Sequence, residues 1–148
     1  MNILYEDKDV LFINKPVGML SQKAKEQDES LVEYLIDHLL DSGKLTKEDL
    51  RSFRPSVCNR LDRNTSGLVA AGCSLAGLQK LSAMFKDRSL HKYYLCVVSG
   101  SVREKKRIEG FLKKDEKTNQ VTISQRELPD SAPICTEYEP LMETGSYT

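Results

Sequence analysis

The chain begins with two short apolar runs, Ile3-Leu4-Tyr5 and Val10-Leu11-Phe12-Ile13, separated by the charged Glu6-Asp7-Lys8-Asp9. That pattern predicts a hairpin of two strands around a charged turn. Asn14-Lys15-Pro16-Val17-Gly18 stops the second strand, because proline cannot continue a ladder and Pro-x-Gly favours a turn. Ser30-Leu-Val-Glu33 is a capping-box signal for a first helix, with Leu31, Tyr34, Leu35 and Leu39 on its apolar face and Gly43 just past its end. Thr46 to Asp49 starts a short helical turn that faces Leu50 and Phe53 inward and closes at Pro55.

Ser66 to Gly72 is small and apolar enough for a buried strand. Ser74 then caps a second helix whose Leu75, Leu78, Leu81, Met84 and Phe85 share one face. Its basic end, Lys86 to Arg88, suits the negative end of the helix dipole. Tyr93 to Val98, rich in aromatic and β-branched residues, predicts a strand ending at Ser99-Gly100. Further on, Ile108 to Phe111 and Val121 to Ile123 read as short strands of a meander, and another strand begins within Thr136 to Leu141. Strands and helices mix without a regular βαβ rhythm. The prediction is an α+β fold with a mixed, largely antiparallel sheet and flanking helices.

Composition narrows the functional classes. A chain of 148 residues predicts one compact domain that buries roughly two thirds of its unfolded surface. The 22 basic and 22 acidic residues cancel, so nucleic-acid binding would rest on a local patch rather than a global field. Cys58, Cys73, Cys96 and Cys135 show no metal-finger spacing, and His38 and His91 are isolated; reduced thiols and no metal site are expected. The amino terminus lacks signal-peptide architecture, and no apolar run approaches a membrane span, so a cytoplasmic location is expected.

One stretch carries candidate chemistry. Cys58-Asn-Arg-Leu-Asp-Arg-Asn-Thr-Ser-Gly67 sets an aspartate between two arginines just before the buried strand. If residues 59–64 are extended, Arg60, Asp62 and Asn64 share one face, and Asn59, Leu61 and Arg63 share the other. Leu61 would then anchor the segment while Arg60 and Asp62 face a cleft. An opposite charge within about 4–6 Å keeps a carboxylate ionised. An ionised carboxylate suits attack on an electrophilic carbon or support of a developing cation, and arginine beside it suits phosphate or a base stack. The same cluster also suits a plain surface ion pair, worth about 0–1 kcal/mol. Spacing alone leaves both open.

Three segments in order, Asn14-Lys15-Pro16-x-Gly18, Arg60-Leu-Asp62-Arg63-x-Thr65-Ser66-Gly67-Leu68 and Lys92-x-Tyr94-Leu95, together resemble the RluA family of RNA pseudouridine synthases. Ile134-Cys-Thr136-x-Tyr138 is similar to a following strand of that family. The resemblance implies isomerisation of uridine to pseudouridine in structured ribosomal or transfer RNA, without cofactor or metal. It implies that Asp62 is the catalytic aspartate, that Arg60 helps displace the target nucleotide, and that Tyr94 lies against the base and takes part in proton removal. Arg63 is the further RNA-binding candidate of the motif. Lys15 reads either as structural or as an RNA contact, and the basic 103–117 run either as a solvated face or as a further contact. Asn59 stands where the family often has histidine. The family's later Gly-Arg-x-His-Gln motif, which supplies a basic partner for the aspartate, has no counterpart before Thr148. The chain therefore resembles roughly the first two thirds of the catalytic domain, with no complete second domain. That implies an exposed sheet edge and an apolar face suited to self-association. A non-catalytic RNA-binding module of the same fold is the alternative, and a globular interaction domain the third reading.

Overall fold

The computed structural model describes residues 2–118 and 120–148. The backbone divides into a first unit that ends at Lys92 and a second from Tyr93 to Thr148.

The first unit is built on a four-stranded antiparallel sheet. Its strands are β1 (Asn2–Glu6), β2 (Val10–Lys15), β3 (Ser56–Val57) and β4 (Gly67–Gly72), in the order β1-β2-β4-β3. The predicted hairpin is present, with the Asp7 carboxylate accepting from the Asp9 and Val10 amides at 2.8 Å each to shape its turn. In β2 the period of two puts Leu11, Ile13 and Lys15 on one face, and all three are fully buried. Leu11 pairs with Ala71, Ile13 with Val69 and Lys15 with Gly67 across the β2–β4 ladder.

That face is covered by α1 (Leu31–Asp41), which contributes Leu31, Val32, Leu35, Ile36 and Leu39 to the core. Burying each of these large side chains stabilises the fold by about 1.5–3 kcal/mol. Tyr34, expected on the apolar face, is instead exposed, while Val32 and Ile36 are buried, so the buried stripe is rotated from the one predicted. Ser30 is the N-cap, but its hydroxyl donates to the Glu33 carboxylate at 2.6 Å and makes no bond to a helix amide. Past the other end, the Gly43 amide reaches the Leu40 carbonyl and the Lys44 amide the Leu39 carbonyl, both at 3.0 Å, a Schellman closure. The second helical turn is a short 3-10 helix, Asp49–Arg51, with Leu50 packed against the core.

The opposite face of β4 meets α2 (Leu75–Lys86), where Leu78 lies directly over Gly72. Ser74 caps α2 as expected, accepting from the Gly77 amide at 3.1 Å. Leu81 is buried, but Leu75, predicted on the same stripe, is exposed, and in the first turn it is Gly77 that is buried, close against the Asp9 backbone.

The second unit is a three-stranded antiparallel sheet of β5 (Lys106–Lys114), β6 (Val121–Ser124) and β7 (Ala132–Tyr138). Its order is β6-β5-β7, so β5 is central and the predicted meander is corrected. β7 starts at Ala132 and ends at Tyr138, displaced from the predicted Thr136–Leu141. The predicted strand Tyr93–Val98 is also corrected, since no regular strand forms there. Val98 exchanges backbone bonds with Thr148 at 2.9 and 3.0 Å, and the Gly100 amide bonds the Ser146 carbonyl at 2.8 Å. Tyr93, Tyr94, Leu95 and Val97 are exposed. All ladders between strands are antiparallel among the described residues, and the expected α+β class with helices flanking a sheet holds.

Candidate active site

The candidate loop runs from Cys58 to Ser66, between the two-residue β3 and the longer β4. Pairing with β4 continues past β3: the Cys58 amide bonds the Ala70 carbonyl at 2.7 Å. Asn59 then does with its side chain what another peptide would do. Its Nδ2 donates to the Leu68 carbonyl at 3.1 Å, and its Oδ1 accepts from the Ala70 amide at 2.8 Å. The chain leaves the sheet at Arg60.

Leu61 packs against the core, the anchor the pattern predicted. The loop does not stay extended to residue 64, because the Thr65 amide bonds back to the Asp62 carbonyl at 3.0 Å and closes a turn. Alternation therefore stops at Asp62. Arg60 and Asp62 line a common groove of about 570 Å³, as expected, but so does Arg63, expected on the other face. Ser21, Gln22 and Lys23 form the opposing wall. Neither arginine forms an ion pair with Asp62 within 4.0 Å among the described residues.

The Lys-Pro-x-Gly turn supports this loop from below. The Gly18 amide donates to the Arg63 carbonyl at 2.7 Å. Gly18 has φ +88°, a left-handed conformation that costs glycine little and other residues more. Lys15 extends from the core face of β2, and its Nζ donates to the carbonyls of Met19 at 2.8 Å, Pro16 at 3.0 Å and Arg63 at 3.4 Å. Burial pulls the Lys15 pKa down and the nearby negative charge of Asp62 holds it up. Of the two readings of Lys15, structural or RNA contact, a fully buried amine that serves three carbonyls favours the first, a brace for the loop. The period of β2, which places residue 15 with Leu11 and Ile13, carried the signal for this burial.

Sequence reasoning missed Ser21 altogether. This serine is buried, and its hydroxyl accepts from the Leu61 amide at 3.0 Å and donates to the Leu61 carbonyl at 2.7 Å. A lone serine between Leu20 and Gln22 gives no sequence signal for such a contact. Tyr94 stands in the second unit, 61% exposed, within the stretch that forms no regular strand. Among the described residues no group of three or more His, Cys, Asp or Glu side chains is arranged to hold a metal ion. No helix is long and apolar enough to cross a membrane among the described residues.

The fold is that of pseudouridylate synthase domains. Human RNA pseudouridylate synthase domain containing 4 superposes with a TM-score of 0.63 at 16% identity, covering 99% of this chain and 56% of that one. Human RNA pseudouridylate synthase domain containing 1 gives 0.56 at 17% identity, covering 92% and 50%. In sequence, residues 9–147 match the RNA pseudouridylate synthase family, and the chain belongs to that family. It is 30% identical to ribosomal large subunit pseudouridine synthase D of Borreliella burgdorferi over 99% of this chain and 44% of the relative. An uncharacterized RNA pseudouridine synthase of Mycoplasma genitalium is also 30% identical, over 94% of this chain and 43% of the relative. The chain thus spans less than half the length of these two relatives.

Proposed function

We propose that this chain carries the catalytic loop of an isomerase that converts specific uridines of ribosomal or transfer RNA to pseudouridine. The observation that carries the reading is the Asp62 turn. It sits exposed on a groove between Arg60 and Arg63, with its backbone held by Lys15 and Gly18 from the neighbouring motif. In this reading Asp62 acts at the target uridine while the bond from the ribose C1′ to N1 breaks. The base turns, C1′ bonds to C5, a proton leaves C5 and a proton is gained at N1, so the product is an isomer of the substrate. Arg60 helps extrude the nucleotide, since a stacked base must leave the helix before such chemistry. Arg63 contacts the RNA backbone, where arginine positions nucleic acid through phosphate. Tyr94 is assigned the part in proton removal.

Ribosomal RNA is favoured by relatives named for the large ribosomal subunit, which also favours action in the cytoplasm. We read the two units as belonging to one catalytic domain, of which the chain supplies roughly the first two thirds. Self-association through a sheet edge is supported by β6 and β7 as outer strands, with Val121 and Ile123 exposed.

Mapping pseudouridines in cells that lack the full-length protein tests the reading. Specific sites in ribosomal or transfer RNA are expected to disappear and to return with the wild-type gene but not with Asp62→Asn. Restoration by Asp62→Asn would overturn it, and unchanged maps in a strain whose RNA the protein still binds would favour the non-catalytic module.

A further inference from the structure

Resting on that functional reading, we propose that Ser21 is a positioning residue for Asp62. Ser21 is 4% exposed, and its hydroxyl spans the two peptides that flank Leu61. The amide it accepts from belongs to the Arg60–Leu61 peptide. The carbonyl it donates to belongs to the Leu61–Asp62 peptide. One hydroxyl, as simultaneous donor and acceptor, therefore fixes both backbone torsions of Leu61 and with them the directions in which Arg60 and Asp62 leave the backbone.

The rest of the loop is held elsewhere. Leu61 is tied to the core by its side chain, and the Arg63 carbonyl is tied to Gly18 and Lys15. Asp62 lies between these two attachments, and Ser21 supplies the backbone attachment on the amino-terminal side. Apart from their peptide partners at Leu61, the Ser21 bonds serve no strand or helix, and the residue also lines the groove where substrate would sit. A hydroxyl used in this way orients reacting groups. Misplacing such a group by about 1 Å costs about 100-fold in rate even when binding persists.

The test uses the full-length protein and a uridine-containing RNA substrate, with kcat and KM measured separately. Ser21→Ala is expected to lower kcat about 100-fold while KM stays within about twofold. Ser21→Thr, which keeps the hydroxyl, is expected to restore kcat to within about tenfold of wild type. Wild-type kcat in Ser21→Ala overturns the inference, as does a loss that Ser21→Thr fails to restore. Should Ser21→Ala fail to fold, Ser21→Cys keeps a small side chain with a weaker donor. A folded Ser21→Cys protein with reduced kcat supports the role, and one with wild-type kcat overturns it. Asp62→Asn is assayed in parallel. If it turns over at the wild-type rate, the functional reading fails; if it is inactive while Ser21→Ala is unimpaired, only the Ser21 assignment fails.

Discussion

Gly67 stands opposite Lys15 in the β2–β4 ladder with φ +131°, a backbone conformation that side chains strongly disfavour. An added Cβ would meet the Leu61 side chain at an ordinary 3.7 Å, so strain rather than collision sets the cost. Gly67→Ala is expected to destabilise the protein by about 1–3 kcal/mol in denaturant unfolding, and an unchanged midpoint would refute the strain argument. Lys15 gives a second prediction, because removing its amine takes the donor from the Pro16 and Met19 carbonyls, while the Arg63 carbonyl keeps the Gly18 amide. Lys15→Met should cost about 1–3 kcal/mol of stability. It should leave the salt dependence of RNA binding unchanged, while Arg63→Ala reduces that slope by about 1. A reduced slope for Lys15→Met would return this lysine to the RNA interface. At this scale the sequence was legible through its alternation, which placed Leu61 on the core and Arg60 with Asp62. It was not legible for Ser21 or Asn59, because contacts made to distant backbone leave no local pattern.

Among the elements, β1 is tied to the region after α1 by a charged cluster. Glu6 accepts from Lys44 at 2.7 Å and lies 3.1 Å from His38 Nε2. The Lys44 hydrogen bond, reinforced by His38, holds the Glu6 carboxyl below its ordinary value of 4.5 despite an opposing cost of burial. Between the folded value and 4.5 the unfolded chain binds more protons than the folded one. The stabilisation is therefore complete above pH 4.5 and is lost as pH falls through the lower folded value. Thermal melts across this window should show a steeper acid loss for wild type than for Glu6→Gln, and parallel curves would contradict the link. The same scale shows where patterning succeeds. The β1–β2 hairpin, α1, β4 and α2 form where apolar period and capping signals agree. Tyr34, Leu75 and the Tyr93–Val98 segment depart from prediction because burial depends on what a neighbouring layer covers.

For the whole molecule, zero net charge conceals local pairing. In the second unit Lys105 pairs with Glu137 at 2.6 Å and with Glu139 at 3.6 Å, Arg107 with Glu109 at 2.6 Å and Arg103 with Glu143 at 3.9 Å. Three cations of the basic 103–117 run, Arg103, Lys105 and Arg107, are thus offset within their own unit. The boundary between the units follows Lys92, and residues 91–100 are exposed. Limited trypsin digestion is therefore expected to cut first after Arg88 or Lys92 and to give two fragments; first cleavage within α1 or β4 would contradict the division. Composition gave no hint of this boundary, since no proline- or glycine-rich linker marks it. In the proposed function the loop braced by Lys15, Gly18 and Asn59 presents Asp62 for uridine isomerisation. Bond formation at C5 displaces its hydrogen, so tritium release from RNA carrying 5-tritiated uridine reads the reaction directly. The full-length wild-type protein is predicted to release tritium, and Asp62→Asn to slow release on the order of 10⁴-fold while still binding the RNA. Release by Asp62→Asn at the wild-type rate would contradict the account.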